Sequence, residues 1–194
     1  MSVVVLGSAN IDVLVTSDRL PSPGETVFGE SIQEHMGGKG LNQAVAASRT
    51  GSTVDFYFTV GKDQAGKSVI DFLEGESLRC HHLESEKETG RAIIQVDAKG
   101  ENSITVIPGA NMAIRSWPVQ SLSESLTQAF FLVLQAEINP SLNLEVARLA
   151  KQAGVTVVLI PAPVEKVSDE LLALSDVLIL NQHECAILGG NTDL

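Results

Sequence analysis

Cysteine is scarce in this chain: there are two in 194 residues, Cys80 and Cys185. They lie far apart in no Cys-x-x-Cys arrangement, so neither a disulfide framework nor a zinc site is suggested, and a reducing compartment is expected. Positive charge is also short, with 13 Lys and Arg against 24 Asp and Glu and a formal net charge of −11. An acidic chain without a basic patch repels nucleic-acid phosphate and anionic lipid, so neither nucleic acid nor membrane is expected as a partner. Long apolar runs are missing. The longest, Ala129 to Leu134, has six residues, far below the roughly 18 of a membrane-spanning helix. Met1-Ser2 leads straight into Val3–Leu6 without a basic leader or a signal-peptide apolar stretch, and a cytoplasmic location is expected.

What the chain does have is enough apolar material for a packed core, with 44% hydrophobic and 19% charged residues. Apolar, β-branched runs recur at Val3–Leu6, Val54–Val60, Phe130–Leu134, Thr156–Ile160 and Val177–Leu180 without in-out alternation, the pattern of strands buried on both faces. Helical stretches lie between them. Asp63 is placed to cap a helix running to about Leu73, and Asn139-Pro140 opens another that stops at Gly154. Alternating strands and helices predict an α/β fold with a parallel sheet.

Two segments break that rhythm, with short extended pieces at Thr26–Phe28, Ala92–Val96 and Ile104–Ile107 among turn residues. They predict a small separate β-sheet, a lid at the strand ends where ligands of open α/β sheets bind. The expected division is an α/β domain of residues 1–12, 37–89 and 109–194 and a β lid of residues 13–36 and 90–108.

Polar residues gather after the predicted strands: Asn10 and Asp12, Gly61 and Asp63, Glu137, and Asn181 with Glu184. Asn and Asp favour turns anyway, but their recurrence along one sheet edge points to a ligand site. Gly37-Gly38-Lys39-Gly40 precedes a small-residue helix whose first turn would offer backbone N–H groups and the Lys39 ammonium to a polar ligand. A hydroxyl-rich ligand fits: Asp12 and Glu137 would accept from paired hydroxyls, while Lys39 and Asn42 would donate. His81 and His82 read as solvated surface rather than metal ligands, Cys185 as a buried apolar residue, and Trp117 as packing a helix start.

Gly7-Ser8-Ala9-Asn10-Ile11-Asp12, Pro23-Gly24-Glu25-Thr26 and Gly37-Gly38-Lys39-Gly40-Leu41-Asn42-Gln43-Ala44 resemble the N-terminal half of the ribokinase/PfkB carbohydrate kinase family. The likeness continues through Gly61–Gly66, Pro108–Asn111, Gln135–Glu137, Pro161–Pro163 and Asn181–Glu184. It implies a largely parallel sheet flanked by helices, a β-sheet lid, and transfer of the ATP γ-phosphoryl group to the 5-hydroxyl of D-ribose. By position it implies sugar contacts from Asn10, Asp12, Gly38, Lys39, Asn42 and Glu137, and an apolar lid contact from Ile107. It further implies that Asn181 and Glu184 help place phosphate and Mg²⁺, Glu184 through water. ATP, Mg²⁺ and a monovalent cation such as K⁺ are the implied cofactors, and a homodimer through the lid the implied assembly.

The resemblance also implies parts that this sequence does not contain. No Gly-x-Gly-Asp motif occurs, so the catalytic base and adenine pocket of the family are expected to be absent, with the C-terminal part of the fold, and the isolated chain to be inactive. Ile160 stands where asparagine is common. Two other readings compete. One is a non-catalytic sugar-binding or regulatory module. The other is a P-loop NTPase, because Gly61–Ser68 satisfies Gly-x-x-x-x-Gly-Lys-Ser, with Asp97 the tolerable metal partner. The ordered series of sugar-kinase motifs outweighs that single short one.

Overall fold

The computed structural model describes residues 1–189. The last residues of the expected 109–194 segment therefore lie outside the described residues. In chain order the elements are β1 (Ser2–Leu6), β2 (Asn10–Ser17), β3 (Gly29–Gly37), α1 (Lys39–Arg49), β4 (Thr53–Gly61) and α2 (Gln64–Glu74). Then come β5 (Arg79–Ser85), β6 (Gly90–Val96), β7 (Asn102–Ile107), a 3₁₀ turn over Gly109–Met112, α3 (Val119–Gln128) and β8 (Phe131–Gln135). The chain continues as α4 (Pro140–Gln152), β9 (Thr156–Ile160), a 3₁₀ turn over Val164–Lys166, α5 (Asp169–Leu174), β10 (Val177–Leu178) and α6 (Gln182–Gly189).

Six strands form one sheet in the order β10-β9-β8-β1-β4-β5, all parallel. Alternate residues of each strand feed two cores. Val4, Leu6, Tyr57, Leu132, Leu134, Val157 and Leu159 face α3, α4 and α5, where Leu122, Leu126, Leu142 and Val146 close the layer. Val3, Val5, Phe56, Phe58 and Val60 face α1 and α2 through Leu41, Ala44, Val45, Val69 and Leu73. Burial on both faces explains the continuous apolar runs, since neither side of such a strand meets water. Each fully buried aliphatic or aromatic side chain contributes roughly 1.5–3 kcal/mol.

A second sheet, in the order β3-β2-β6-β7, is mixed: β2 runs parallel to β6 and antiparallel to β3, and β6 antiparallel to β7. The small separate sheet expected from the sequence is thus present, with two differences: β2, which no expected piece covered, begins at Asn10, and β3 is displaced. Thr26–Phe28 is irregular, and the strand starts at Gly29 and runs nine residues. Its side chains are mostly polar and exposed, so no apolar pattern betrayed it.

Three smaller expectations change. β10 has two residues rather than the four of Val177–Leu180. Cys185 is exposed, because no residue of α6 is buried. His81 and His82 lie on β5, the sheet-edge strand; His82 is exposed as expected, but His81 is half-buried, with its Nε2 2.8 Å from Asp55 Oδ1 and its ring stacked on Tyr57. Trp117 does pack before α3, edge-on to Tyr57 at 5.4 Å.

Candidate functional site

The chain leaves β1 through Gly7-Ser8-Ala9, and α1 begins directly against that turn. A Cβ at Gly40 would sit 2.5 Å from the Gly7 carbonyl carbon, so only glycine permits the approach. Gly38 caps the helix at φ +93°, a left-handed conformation that favours glycine. Ser8 is fully buried there. Its Oγ donates to Glu137 Oε2 at 2.6 Å and accepts from the Gly40 N–H at 3.3 Å, and its carbonyl accepts from the Leu41 N–H at 2.9 Å.

Glu137 follows β8 and reaches the same helix start. The Lys39 N–H donates to its Oε2 at 3.0 Å, and Lys39 Nζ lies 3.5 Å from its Oε1. The N–H groups of Lys39, Gly40 and Leu41 are therefore bound within the protein. This corrects the expectation that the first turn of α1 offers its amides to a ligand. What it offers instead is the Lys39 ammonium beside a Glu137 carboxylate held in place by the helix start, a charge-assisted arrangement.

Asp12, on β2, closes another side. Its carboxylate packs on Gly37, where a Cβ would come within 2.1 Å of Asp12 Cγ. Burial, and then the charge of Glu137, push the Asp12 carboxyl above its ordinary value, while His35 and Lys39 pull the other way. The two carboxylates thus share one partly desolvated space with one lysine.

Two cavities meet at Lys39 and Ala162. One, of about 270 Å³, is lined by Lys39, Glu137, Val106, Pro108, Pro163 and Lys166. Val106 lines it and the neighbouring Ile107 does not, because successive residues of β7 point to opposite faces. The other, of about 470 Å³, brings Lys39 and Asn42 together with Ile160, Asn181 and Glu184. Ile160 gives that cavity an apolar wall. Asn181 and Glu184 bond each other reciprocally: the Asn181 N–H and Nδ2 donate to the Glu184 carboxylate at 3.0 and 3.1 Å, and the Glu184 N–H donates to Asn181 Oδ1 at 2.8 Å. They form a capping box for α6.

Asn10 is buried beside Asp12, and its Oδ1 accepts from Asn111 Nδ2 at 2.7 Å. Of the residues that build this region, Ser8, Asn111, Val106, Lys166 and the Gln135–Gln43 amide pair carried no signal of their own in the sequence. Ser8, Asn111, Gln43 and Gln135 fell inside motifs that did, whereas Val106 and Lys166 did not.

The loop Gly61–Ser68 does not form a phosphate cradle. Gly61 N–H donates to Thr89 Oγ1, Lys62 N–H to the Ser85 carbonyl, Gly66 N–H to Asp63 Oδ1 and Lys67 N–H to the Asp63 carbonyl. Asp97, the partner that a P-loop would need, accepts from the Lys99 and Glu101 N–H groups in a turn of the second sheet.

The comparison with known proteins bears on the family and the fold. The model of the pfkB family carbohydrate kinases matches residues 1–193. The chain belongs to that family. It is 40% identical over 192 residues to a ribokinase of Haemophilus influenzae, covering 97% of this chain and 62% of that protein. The structure of ribokinase from Giardia lamblia superposes with a TM-score of 0.89 at 30% identity, over 98% of this chain and 60% of that one. The structure of Arabidopsis thaliana ribokinase complexed with ribose and ATP gives 0.82 at 33% identity, over 99% and 64%. The chain thus spans less than two thirds of each of these relatives. Among the described residues, no helix of this pfkB-family chain is long and apolar enough to cross a membrane.

Proposed function

We propose that this chain carries the sugar-recognising part of a ribokinase-type kinase, in a reaction that moves the γ-phosphoryl group of ATP to the 5-hydroxyl of D-ribose. The observation that carries this reading is the Asp12–Lys39–Glu137 group. Two carboxylates able to accept from hydroxyls act on one ammonium that donates, and Lys39 and Glu137 of this group line a cavity sized for a small molecule. Asn10, Gly38 and Asn42 complete the proposed polar lining, with Ile107 as the expected lid contact adjoining Val106. The kinship to an Arabidopsis ribokinase whose structure holds ribose and ATP favours the same ligands here.

Lys39 stands between both cavities, so the proposed sugar hydroxyl and the arriving phosphoryl group would meet beside it. Its ammonium would draw the transferred charge, and Asp12 and Glu137 would hold the pentose against rotation. Asn181 and Glu184 face the second cavity and fit the phosphate side. Among the described residues no three His, Cys, Asp or Glu gather to hold a metal directly. Glu184, whose carboxylate accepts two N–H bonds and keeps further lone pairs, fits a Mg²⁺ ion held through water. That ion would neutralise phosphate charge when bound. No residue of a monovalent-cation site is assigned. None of these residues is assigned as the base that takes the hydroxyl proton, and the 194-residue chain by itself is proposed to bind sugar with little turnover. The second-sheet edges β3 and β7 suit pairing with a second copy.

Titration calorimetry of the purified chain with D-ribose tests the reading. Binding should be present in the wild type and lost in Asp12→Ala and Glu137→Ala. Ribose affinity unchanged in both variants would remove the site, and robust Asp12-dependent phosphorylation would refute the inactivity. Ribose binding without ATP binding would favour a non-catalytic sugar-binding module.

A further inference from the structure

We propose that Asn111 is a positioning residue that fixes which end of the Asn10 amide meets the ligand, and so sets the hydroxyl specificity of the site. The inference rests on the sugar-binding reading above and adds a determinant to it.

Asn111 lies in the 3₁₀ turn after β7 and is buried, as are Ala9 and Asn10. The Ala9 N–H donates to Asn111 Oδ1 at 3.1 Å, and Asn111 Nδ2 faces the Ala9 carbonyl at 3.4 Å. A backbone N–H only donates and a carbonyl only accepts, so this pair admits one orientation of the Asn111 amide. Its Nδ2 is then obliged to donate to Asn10 as well. The 2.7 Å contact accordingly requires an acceptor, and Asn10 must turn Oδ1 toward it.

The consequence falls on the other end of Asn10. Its Nδ2 has no hydrogen-bond partner among the described residues and is not one of the fully enclosed unpaired atoms, so it touches solvent. Asn10 and Asp12 are two apart on β2 and share one face of the strand. The site therefore sets an N–H donor beside a carboxylate acceptor. Gly90 makes the arrangement possible: a Cβ there would come within 2.2 Å of Asn10 Oδ1 and 2.3 Å of Asn111 Nδ2.

A ligand matches this pair with neighbouring hydroxyls, one accepting from Asn10 and the other donating to Asp12. Were the Asn10 amide reversed, two acceptors would stand side by side and the first hydroxyl would meet no donor.

The test uses the full 194-residue chain with D-ribose and its 2-deoxy and 3-deoxy forms, in wild type, Asn111→Asp and Asn10→Asp. An Asp at 111 keeps an acceptor for Ala9 but presents a second acceptor to Asn10, whose amide then reverses. Asn10→Asp keeps the bond from Asn111 and replaces the donor facing the ligand. In the wild type one deoxy sugar should bind about tenfold more weakly than ribose, the loss of one paired hydrogen bond. In either variant ribose should weaken about tenfold and that penalty should vanish, a change in discrimination that mere loosening of the fold would not produce.

Side-chain amide exchange by NMR reads the orientation without ligand. Asn111 Nδ2 protons should be protected in the wild type and Asn10 Nδ2 protons should exchange fast, with Asn10 becoming protected in Asn111→Asp. If Asn111→Asp fails to fold, Asn10→Asp carries the sugar comparison and the wild-type exchange rates carry the orientation. Wild-type binding with unchanged discrimination in the folded variants would overturn the role of Asn111 alone. Fast exchange at Asn111 with protection at Asn10 in the wild type would do the same. A wild type that binds no ribose would overturn the sugar reading and this inference with it.

Discussion

Ser8 and Glu137 are 129 positions apart, yet the Ser8 hydroxyl donates a 2.6 Å hydrogen bond to the Glu137 carboxylate. That bond ties the end of β1 to the end of β8, and the same oxygen receives the Gly40 N–H of α1. Ser8→Ala leaves the Gly40 N–H without its acceptor and Glu137 with one fewer donor. The expected cost is about 1–3 kcal/mol of stability and a several-fold loss of ribose affinity. Urea unfolding and calorimetry on the same preparation check both.

Gly40→Ala should be worse for the site than for the helix. Alanine raises helix propensity, but its Cβ would lie 2.5 Å from Gly7 backbone. α1 must move away from β1, at a cost of about 1–3 kcal/mol. The Lys39 and Leu41 N–H bonds move with it, so ribose binding should fall further than the melting temperature alone suggests. A variant with full affinity would show that this close approach is dispensable.

Asp63 controls an acid-sensitive joint. Burial disfavours its charge, but bonds from the Thr89 hydroxyl and N–H and the Gly66 N–H outweigh that, and its carboxyl titrates below its ordinary value. The ionised form therefore stabilises the fold. The contribution is complete above the unfolded-state pKa and disappears as pH falls from there through the lower folded-state value. Asp63→Ala should lose about 1–2 kcal/mol near neutral pH, the usual cost of removing a cap. Its stability should also decline less steeply than that of the wild type as pH is lowered, measured by urea unfolding along a pH series.

Lys67→Ala should leave nucleotide binding unchanged. Lys67 is exposed, and no ion pair joins it to Asp71 among the described residues. Loss of nucleotide affinity in this variant would restore the P-loop reading of Gly61–Ser68.

The main sheet was legible wherever strands are covered on both faces, as at Val3–Leu6 and Thr156–Ile160, because double burial leaves an unbroken apolar run. β5 was not. It is the sheet edge, and its Arg79 and His81 are polar because they close on the buried Asp55 of β4. β3 was missed, with an extended piece placed at Thr26–Phe28 instead, for a related reason: its exposed Glu30, Gln33 and Glu34 carry no apolar pattern. In the site, Lys39 stood out because it sits in a glycine-rich turn, and Asp12 and Glu137 because each is a charged residue just after an apolar strand run. Ser8 and Asn111 did not, since a serine and an asparagine in a turn look alike whether or not they hold something. Val106 and Ile107 were distinguishable only by strand parity.

The position of β1 between β4 and β8 also has a bearing on synthesis. The first strand can pair with β4 once about a third of the chain exists, but its other edge waits for Phe131–Leu134. Pairing across so many residues is slow to form. A nascent chain therefore holds Ser8 and Lys39 through the synthesis of 98 further residues before the Glu137 that they enclose exists. The docking of β8 supplies the counter-charge, later residues such as Ala162 and Lys166 close the cavity, and a ribosome stalled before β8 emerges would carry the lysine without Glu137 beside it.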